Sequence, residues 1–138
     1  MSARTQDASN RRDVEIAGEL ATGFADAWNQ HDMDALARVF HEDAGFVTVR
    51  GTYVRGREEI RRQQAAEHAG PYADSILRAE VVDARRPAPG VIVGHFQSEF
   101  SVTGQTRRAF VTLVIEQRAE LWRISAAHNT IVVPSPAD

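Results

Sequence analysis

The first clear periodicity begins after Asp13, where Val14, Ile16, Ala17, Leu20, Ala21, Phe24, Ala25 and Trp28 recur mostly at intervals of three and four. That spacing predicts an α-helix with one buried face. The polar segment Asn29-Gln30-His31-Asp32 interrupts it, and Asp32 is placed to cap a second, short helix that carries Leu36 and reaches Phe40. His41-Glu42-Asp43 reads as a turn. From Gly45 to Val54 the pattern becomes alternating: Phe46, Thr48 and Arg50 share one side, Val47 and Val49 the other, and Gly51-Thr52 reads as the turn of a short hairpin. Arg57 to His68 returns to helical chemistry, which Gly70-Pro71 ends because glycine suits a C-terminal cap and proline cannot continue a helix.

Long strands follow at about Ser75 to Arg85, Val91 to Val102, Arg107 to Gln117 and Leu121 to Val133, with loops at Arg86 to Gly90, Thr103 to Gln105 and Arg118 to Glu120. Residues 1–10 are small and polar and read as a frayed N-terminal arm, residues 11–133 as a single domain, and residues 134–138 as a tail leaving the sheet. Helix, short helix, hairpin, helix and then adjacent strands together predict an α+β domain, with helices packed on one face of an antiparallel sheet. A twisted sheet of that kind curls around its helices, and the open end of the curl is a natural ligand cavity.

The 138 residues are 43% hydrophobic and 25% charged, the composition of an ordinary globular domain that buries a core without disulfide or metal. Cysteine is absent, which excludes a thiolate nucleophile and a Cys-based zinc site. A net charge of −3 argues against nucleic acid as partner. The longest apolar runs, such as Ile131 to Val133, are far too short for a bilayer span. No apolar signal-peptide core follows Met1, so the cytoplasm is the expected location. Every basic residue is Arg, a bias that points to genome composition rather than mechanism.

The run from Phe24 through Trp28-Asn-Gln-His-Asp32, Leu36, Phe40 and Asp43-Ala44, followed by Gly56-Arg-Glu-Glu-Ile60, resembles the opening signature of the NTF2-like, or SnoaL-like, superfamily. The closing Leu121-Trp-Arg-Ile124 and Ala127-His-Asn-Thr130 resemble its SgcJ/EcaC-type branch. The resemblance implies a cone-shaped barrel with an apolar pocket and a homodimer built through the outer face of the sheet. For the branch it implies a hydrophobic polyene or polyketide intermediate of enediyne-type antibiotic biosynthesis, with a polyketide synthase as a partner. Fold alone does not settle the chemistry. In ketosteroid isomerase, a member of the same superfamily, a general-base Asp works with an oxyanion hole made of a Tyr and a protonated Asp. Laid on this chain, that pattern puts the tyrosine at Phe24, the base at Thr48 and the oxyanion aspartate near Phe110. None of the three residues can serve, since Phe and Thr carry no titratable proton near neutral pH.

Strand alternation suggests the pocket wall: Phe96, Ser98 and Phe100 form one row with Val102, Phe46 and Thr48 another, and Phe110 and Thr112 a third with Val114. With Phe24, Trp28 and Gln64 they describe an aromatic pocket carrying a few hydroxyls, although such rows also exist simply to pack a core. No carboxylate falls at a clearly inward position. Among the five histidines, His31 and His41 lie in polar turns and read as surface or capping residues, and His95 lies on the polar side of its strand. His68 projects from the same face as Gln64, a face that the resemblance turns to the cavity mouth, or else it is a solvated last-turn residue favoured by the helix dipole. His128 and Asn129 point to opposite faces unless a bulge intervenes. Parity with Trp122 and Ile124 favours His128 inward, and the ketosteroid isomerase pattern favours Asn129.

His68 and His128 are thus the candidate bases of an enzyme, an isomerase, dehydratase or cyclase, with Asn129, Gln64 or Thr48 orienting substrate. The competing reading is a binding protein that shelters a reactive polyene without turnover, and a third is a dimeric association module. No His-x-x-x-His pair, His-Glu-x-x-His motif or Gly-x-Ser-x-Gly elbow occurs, so neither a metal nor another cofactor is expected.

Overall fold

The structure is a computed structural model that describes residues 3–133, with side chains from Asn10 onward. Three helices precede the long strands: α1 (Ala3–Asn29), α2 (Met33–Arg38) and, after the short strands β1 (Phe40–Val47) and β2 (Tyr53–Arg55), α3 (Arg57–His68). The strands β3 (Leu77–Ala88), β4 (Val91–Val102), β5 (Gln105–Arg118) and β6 (Leu121–Ile131) complete the chain. They form one six-stranded sheet in the order β2-β1-β6-β5-β4-β3. All neighbours are antiparallel except β1 and β6, which run parallel.

Two boundaries depart from the sequence reading. The first helix extends back to Ala3, through most of the stretch expected to be an arm. The segment His41-Glu42-Asp43 is strand rather than turn, because β1 starts at Phe40 and pairs with Ile124 of β6. His41 is consequently buried, and its Nε2 lies 2.7 Å from the carbonyl oxygen of Glu116 instead of facing solvent. The expected tail at residues 134–138 lies outside the described residues.

The end of α1 is built by its own sequence. Asp32 N–H donates to the Ala27 carbonyl at 2.9 Å and His31 N–H to the Trp28 carbonyl at 3.0 Å, the paired bonds of a Schellman motif. His31 occupies the left-handed position that such a cap demands, with φ of 54°, where glycine is more usual. Asp32 then caps α2 as expected, its carboxylate accepting from Ala35 N–H at 3.1 Å. At the last residue of α1, Asn29 straps the helix to the start of β3: it donates to the Leu77 carbonyl at 3.0 Å and accepts from Leu77 N–H at 2.7 Å.

The core lies between the helices and the concave face of the sheet. Ile16, Ala17, Leu36, Phe40, Ile60, Ile92, Phe96, Ile115 and Ile124 are all nearly inaccessible to solvent. On β4 the alternation holds along the strand, with Ile92, Gly94, Phe96, Ser98 and Phe100 inward and His95, Gln97 and Glu99 less buried. Near the middle of α1, the carboxylate of Asp13 is buried and receives Arg86 from β3 at 2.8 and 2.9 Å. No helix among the described residues is long and apolar enough to cross a membrane.

Candidate functional site

Where the helices meet the curled sheet they enclose a cavity of about 100 Å³. Its walls are largely aromatic. Phe24 of α1 lies 6.1 Å from Phe40 and 6.5 Å from Phe46, ring centre to ring centre, and on the other side Trp28, Tyr72 and Phe100 stand 5.3 to 6.5 Å from one another. These separations are those of mutually attractive ring pairs. Trp28 is fixed further by its indole N–H, which donates to Ser75 Oγ at 2.9 Å, while that hydroxyl donates to the Tyr72 carbonyl at 2.9 Å.

Most of the residues expected at the pocket are there. Phe24, Trp28, Phe46, Thr48, Gln64, Phe96, Ser98, Phe100 and Asn129 all line the cavity. Phe110 and Thr112 do not. Phe96 pairs with Val111 across the β4–β5 ladder, so in β5 it is Ala109, Val111, Leu113 and Ile115 that face inward. Phe110 lies on the outer face, its ring 5.9 Å from that of His95. The signal was present in the sequence: the row containing Phe110 ends in Arg108 and Glu116, whereas the row from Ala109 to Ile115 is apolar throughout.

The choice between His128 and Asn129 is made by a bulge. The β5–β6 register passes from Ile115↔Ile124 to Val114↔Ala126, which leaves Ser125 as an extra residue on β6. Parity therefore flips after Ile124. Ala127 and Asn129 face the cavity, while His128 is exposed on the outer face opposite Thr112. Asn129 is held there by donating its amide to the Val47 carbonyl at 2.8 Å. His128 cannot serve as a base inside this cavity.

His68 is buried but stands behind the wall rather than in it. Its ring packs edge-on to Trp28 at 4.4 Å, and its Nδ1 lies 2.8 Å from His31 Nδ1, so one nitrogen donates and the other accepts. Burial, aided by the neighbouring His31, lowers its pKa to about 4. A histidine so placed is neutral near pH 7 and screened from the cavity by Trp28. His31, expected at the surface, is solvent-exposed yet serves as the partner of His68.

The expectation that no carboxylate points inward is overturned by Glu67, which lines the cavity beside Gln63 and Gln64. Its spacing from Gln64 on α3 is three residues, so helical periodicity alone places both on one face. Arg50, 58% exposed at its side chain, stands at the solvent end of the cavity, with its guanidinium 3.5 Å from Glu67 Oε2. Burial pushes the Tyr72 phenol above its ordinary pKa, and nearby Arg50 acts against that rise. Tyr72 follows the Gly70-Pro71 helix stop, where no periodicity marks it. The site thus has a deep aromatic end and a shallow polar end.

The sequence profile of the SnoaL-like domain matches residues 21–127. Comparison with curated proteins finds no match. Among solved structures, a cystatin-like domain from Nostoc punctiforme superposes with a TM-score of 0.82 at 23% identity, covering 89% of this chain and 79% of that one. A protein with a cystatin-like fold from Caulobacter vibrioides gives 0.81 at 26% identity, covering 91% and 94%. A ketosteroid isomerase-like protein from Erwinia carotovora gives 0.74 at 11% identity, covering 88% and 98%, a likeness of fold alone. With its helices laid into a curved sheet and its sequence matched from the middle of α1 to β6, this chain belongs to the SnoaL-like domain family and has the NTF2-like fold.

Proposed function

We propose that the domain binds a flat, largely apolar small molecule in the cavity between its helices and its sheet. The observation that carries this reading is the aromatic lining of a preformed cavity, with Phe24, Trp28, Phe46, Phe96 and Phe100 contributed by both helix and strands. Apolar walls with a few fixed polar groups at one end are the usual form of a small-molecule site. A volume of about 100 Å³ suits one ring or the end of a conjugated chain, with the remainder leaving past Arg50. Together with the SgcJ/EcaC-like closing motif, this supports a polyene or polyketide-derived intermediate of enediyne-type biosynthesis as ligand and a polyketide synthase as its source. The protein then acts as a cytoplasmic homodimer joined through the outer sheet face, where His95 and Phe110 lie.

Turnover is the second reading, and Glu67 favours it. A carboxylate lining an apolar cavity, close to the buried phenol of Tyr72, supplies acid-base groups that the isomerase pattern lacks at Phe24, Thr48 and Phe110. The base of an isomerase, dehydratase or cyclase would then be Glu67 rather than His68 or His128.

Native mass spectrometry after incubation with extracts containing conjugated polyenes separates these readings. A dimer carrying the unaltered polyene supports sheltering. A ligand recovered with changed mass or absorption, and unchanged after incubation with Glu67→Gln, supports catalysis. A dimer that stays empty leaves the association module as the function.

A further inference from the structure

The polar end of the cavity has a direction. The Glu67 carboxylate can only accept, so the Gln63 amide nitrogen turns toward it, with Nε2 to Oε1 at 3.5 Å. Gln63 must then present its oxygen to Gln64, and Gln64 Nε2 donates to it at 2.7 Å. The orientation of the Gln64 amide is thereby settled, and its oxygen is left over. That Oε1 is buried and meets no hydrogen-bond partner, on a residue only 3% exposed that lines the cavity. Glu67 Oε2 is likewise buried without a hydrogen bond, with the guanidinium of Arg50 at 3.5 Å. One acceptor with no donor, Gln64 Oε1, and one faced only by the Arg50 guanidinium, Glu67 Oε2, therefore stand at the polar end of an aromatic cavity.

Buried acceptors rarely go unpaired, and a wholly apolar ligand would leave Gln64 Oε1 without a donor. We propose that the cavity selects a neutral ligand bearing a hydroxyl-type donor, a phenol or an enol, whose O–H is accepted by Gln64 Oε1 beside Glu67. This rests on the reading of the cavity as a small-molecule site and names the group that such a molecule presents to α3. Sites built to hydrogen-bond a substrate hydroxyl reject the analogue lacking it far more strongly than a hydrophobic pocket rejects a missing methylene. A ligand carboxylate is disfavoured, since it brings a third acceptor to an end where Arg50 already faces Glu67.

Four probes of similar size test this by ligand-observed NMR titration: p-cresol, toluene, 4-methylanisole and p-toluate. The expected result is that p-cresol binds about tenfold more tightly than toluene or 4-methylanisole, the worth of one good neutral hydrogen bond. In Gln64→Leu that preference disappears while toluene binds as well or better. Glu67→Gln gives the chain of amides an end that can donate as well as accept, and the preference shrinks while circular dichroism reports the fold intact. Equal binding of p-cresol and toluene, or a preference that survives Gln64→Leu, overturns the assignment and leaves the cavity reading standing. Tightest binding by p-toluate overturns it in favour of recognition by Arg50. Binding of none of the four overturns the cavity reading itself, and this assignment with it.

Discussion

The Nδ1 atoms of His31 and His68 lie 2.8 Å apart, joining the cap of α1 to the last turn of α3 through two imidazoles that sit 37 positions apart in the chain. The contact is made with His31 in its left-handed backbone conformation and requires that at least one of the two rings be neutral, while burial against Trp28 disfavours charge on His68. Charging His68 places a cation in a buried setting beside a second histidine.

Stability should therefore depend on pH through His68. Its pKa falls from 6.5 in the ordinary state to about 4 in the folded chain. Between those values the unfolded chain holds a proton that the folded chain does not, so stability is full above about 6.5, declines as pH falls, and levels off below about 4. The loss across that window is at most about 3 kcal/mol. Urea denaturation at a series of pH values should show it, and His68→Leu should flatten the profile between pH 7 and 4.5. Asp43 and Glu116, whose carboxyls are held low by hydrogen bonds and by the Arg118 guanidinium, contribute at the acid end of the window and remain in both proteins.

Neighbouring substitutions on β6 should differ in kind. Asn129→Ala removes the bond to the Val47 carbonyl and opens the cavity wall, costing about 1 to 2 kcal/mol. His128→Ala, on the exposed outer face, should change stability by less than about 0.5 kcal/mol and leave ligand binding alone. Chemical denaturation of the two variants checks the pair, and the opposite ranking would refute the bulge at Ser125.

Arg86→Ala should destabilise by about 2 kcal/mol, because it leaves the Asp13 carboxylate buried with no cation. Arg86 is 38% exposed at its side chain, which keeps the figure below that of a fully buried pair. Its guanidinium also lies 5.0 Å from the centre of the Trp122 ring, an added attraction that is lost with it. In a double-mutant cycle, Asp13→Ala made together with Arg86→Ala should cost less than the two single changes summed.

Gly94→Ala should be costly although its backbone accommodates any residue. A methyl there would stand 3.0 Å from Cε2 and 3.3 Å from Cζ of Phe96, and 3.5 Å from Cβ of Ala17. The ring of Phe96 is buried and lines the cavity, so it must shift toward that space. The expected loss is about 1 to 3 kcal/mol, accompanied by a smaller cavity and weaker ligand binding. Thermal unfolding and titration with toluene measure the two effects.

Much of the fold was legible along the chain because its cause is local. The face of α1 follows from Ile16, Ala17, Ala21, Phe24 and Trp28, the α2 cap from Asp32, and the inner row of β4 from Phe96, Ser98 and Phe100. Each depends on neighbours a few residues away. The pocket residues on those elements were legible for the same reason. Phe110 and Thr112 were misplaced because both rows of β5 carry apolar residues; Arg108 and Glu116 at the ends of their row marked it as the outer one, and the pairing of Val111 with Phe96 across the ladder fixes it.

What the amino-acid order determined by itself is most of the succession of helices and strands, the cap of α2, and the aromatic side of the strand that lines the cavity. What only the tertiary structure decided is the identity of the polar groups inside. Asn129 rather than His128 faces the cavity because β6 absorbs one extra residue while it is clamped between β1 and β5, a constraint set by partners distant in sequence. His68 stands behind Trp28, whose indole Ser75 holds in place, and Glu67, on the face of Gln64 by helical spacing, meets Arg50 only once α3 has packed beside β1 and β2. Periodicity is a property of one element, whereas the direction of a polar side chain in a shared cavity depends on the packing of several elements at once.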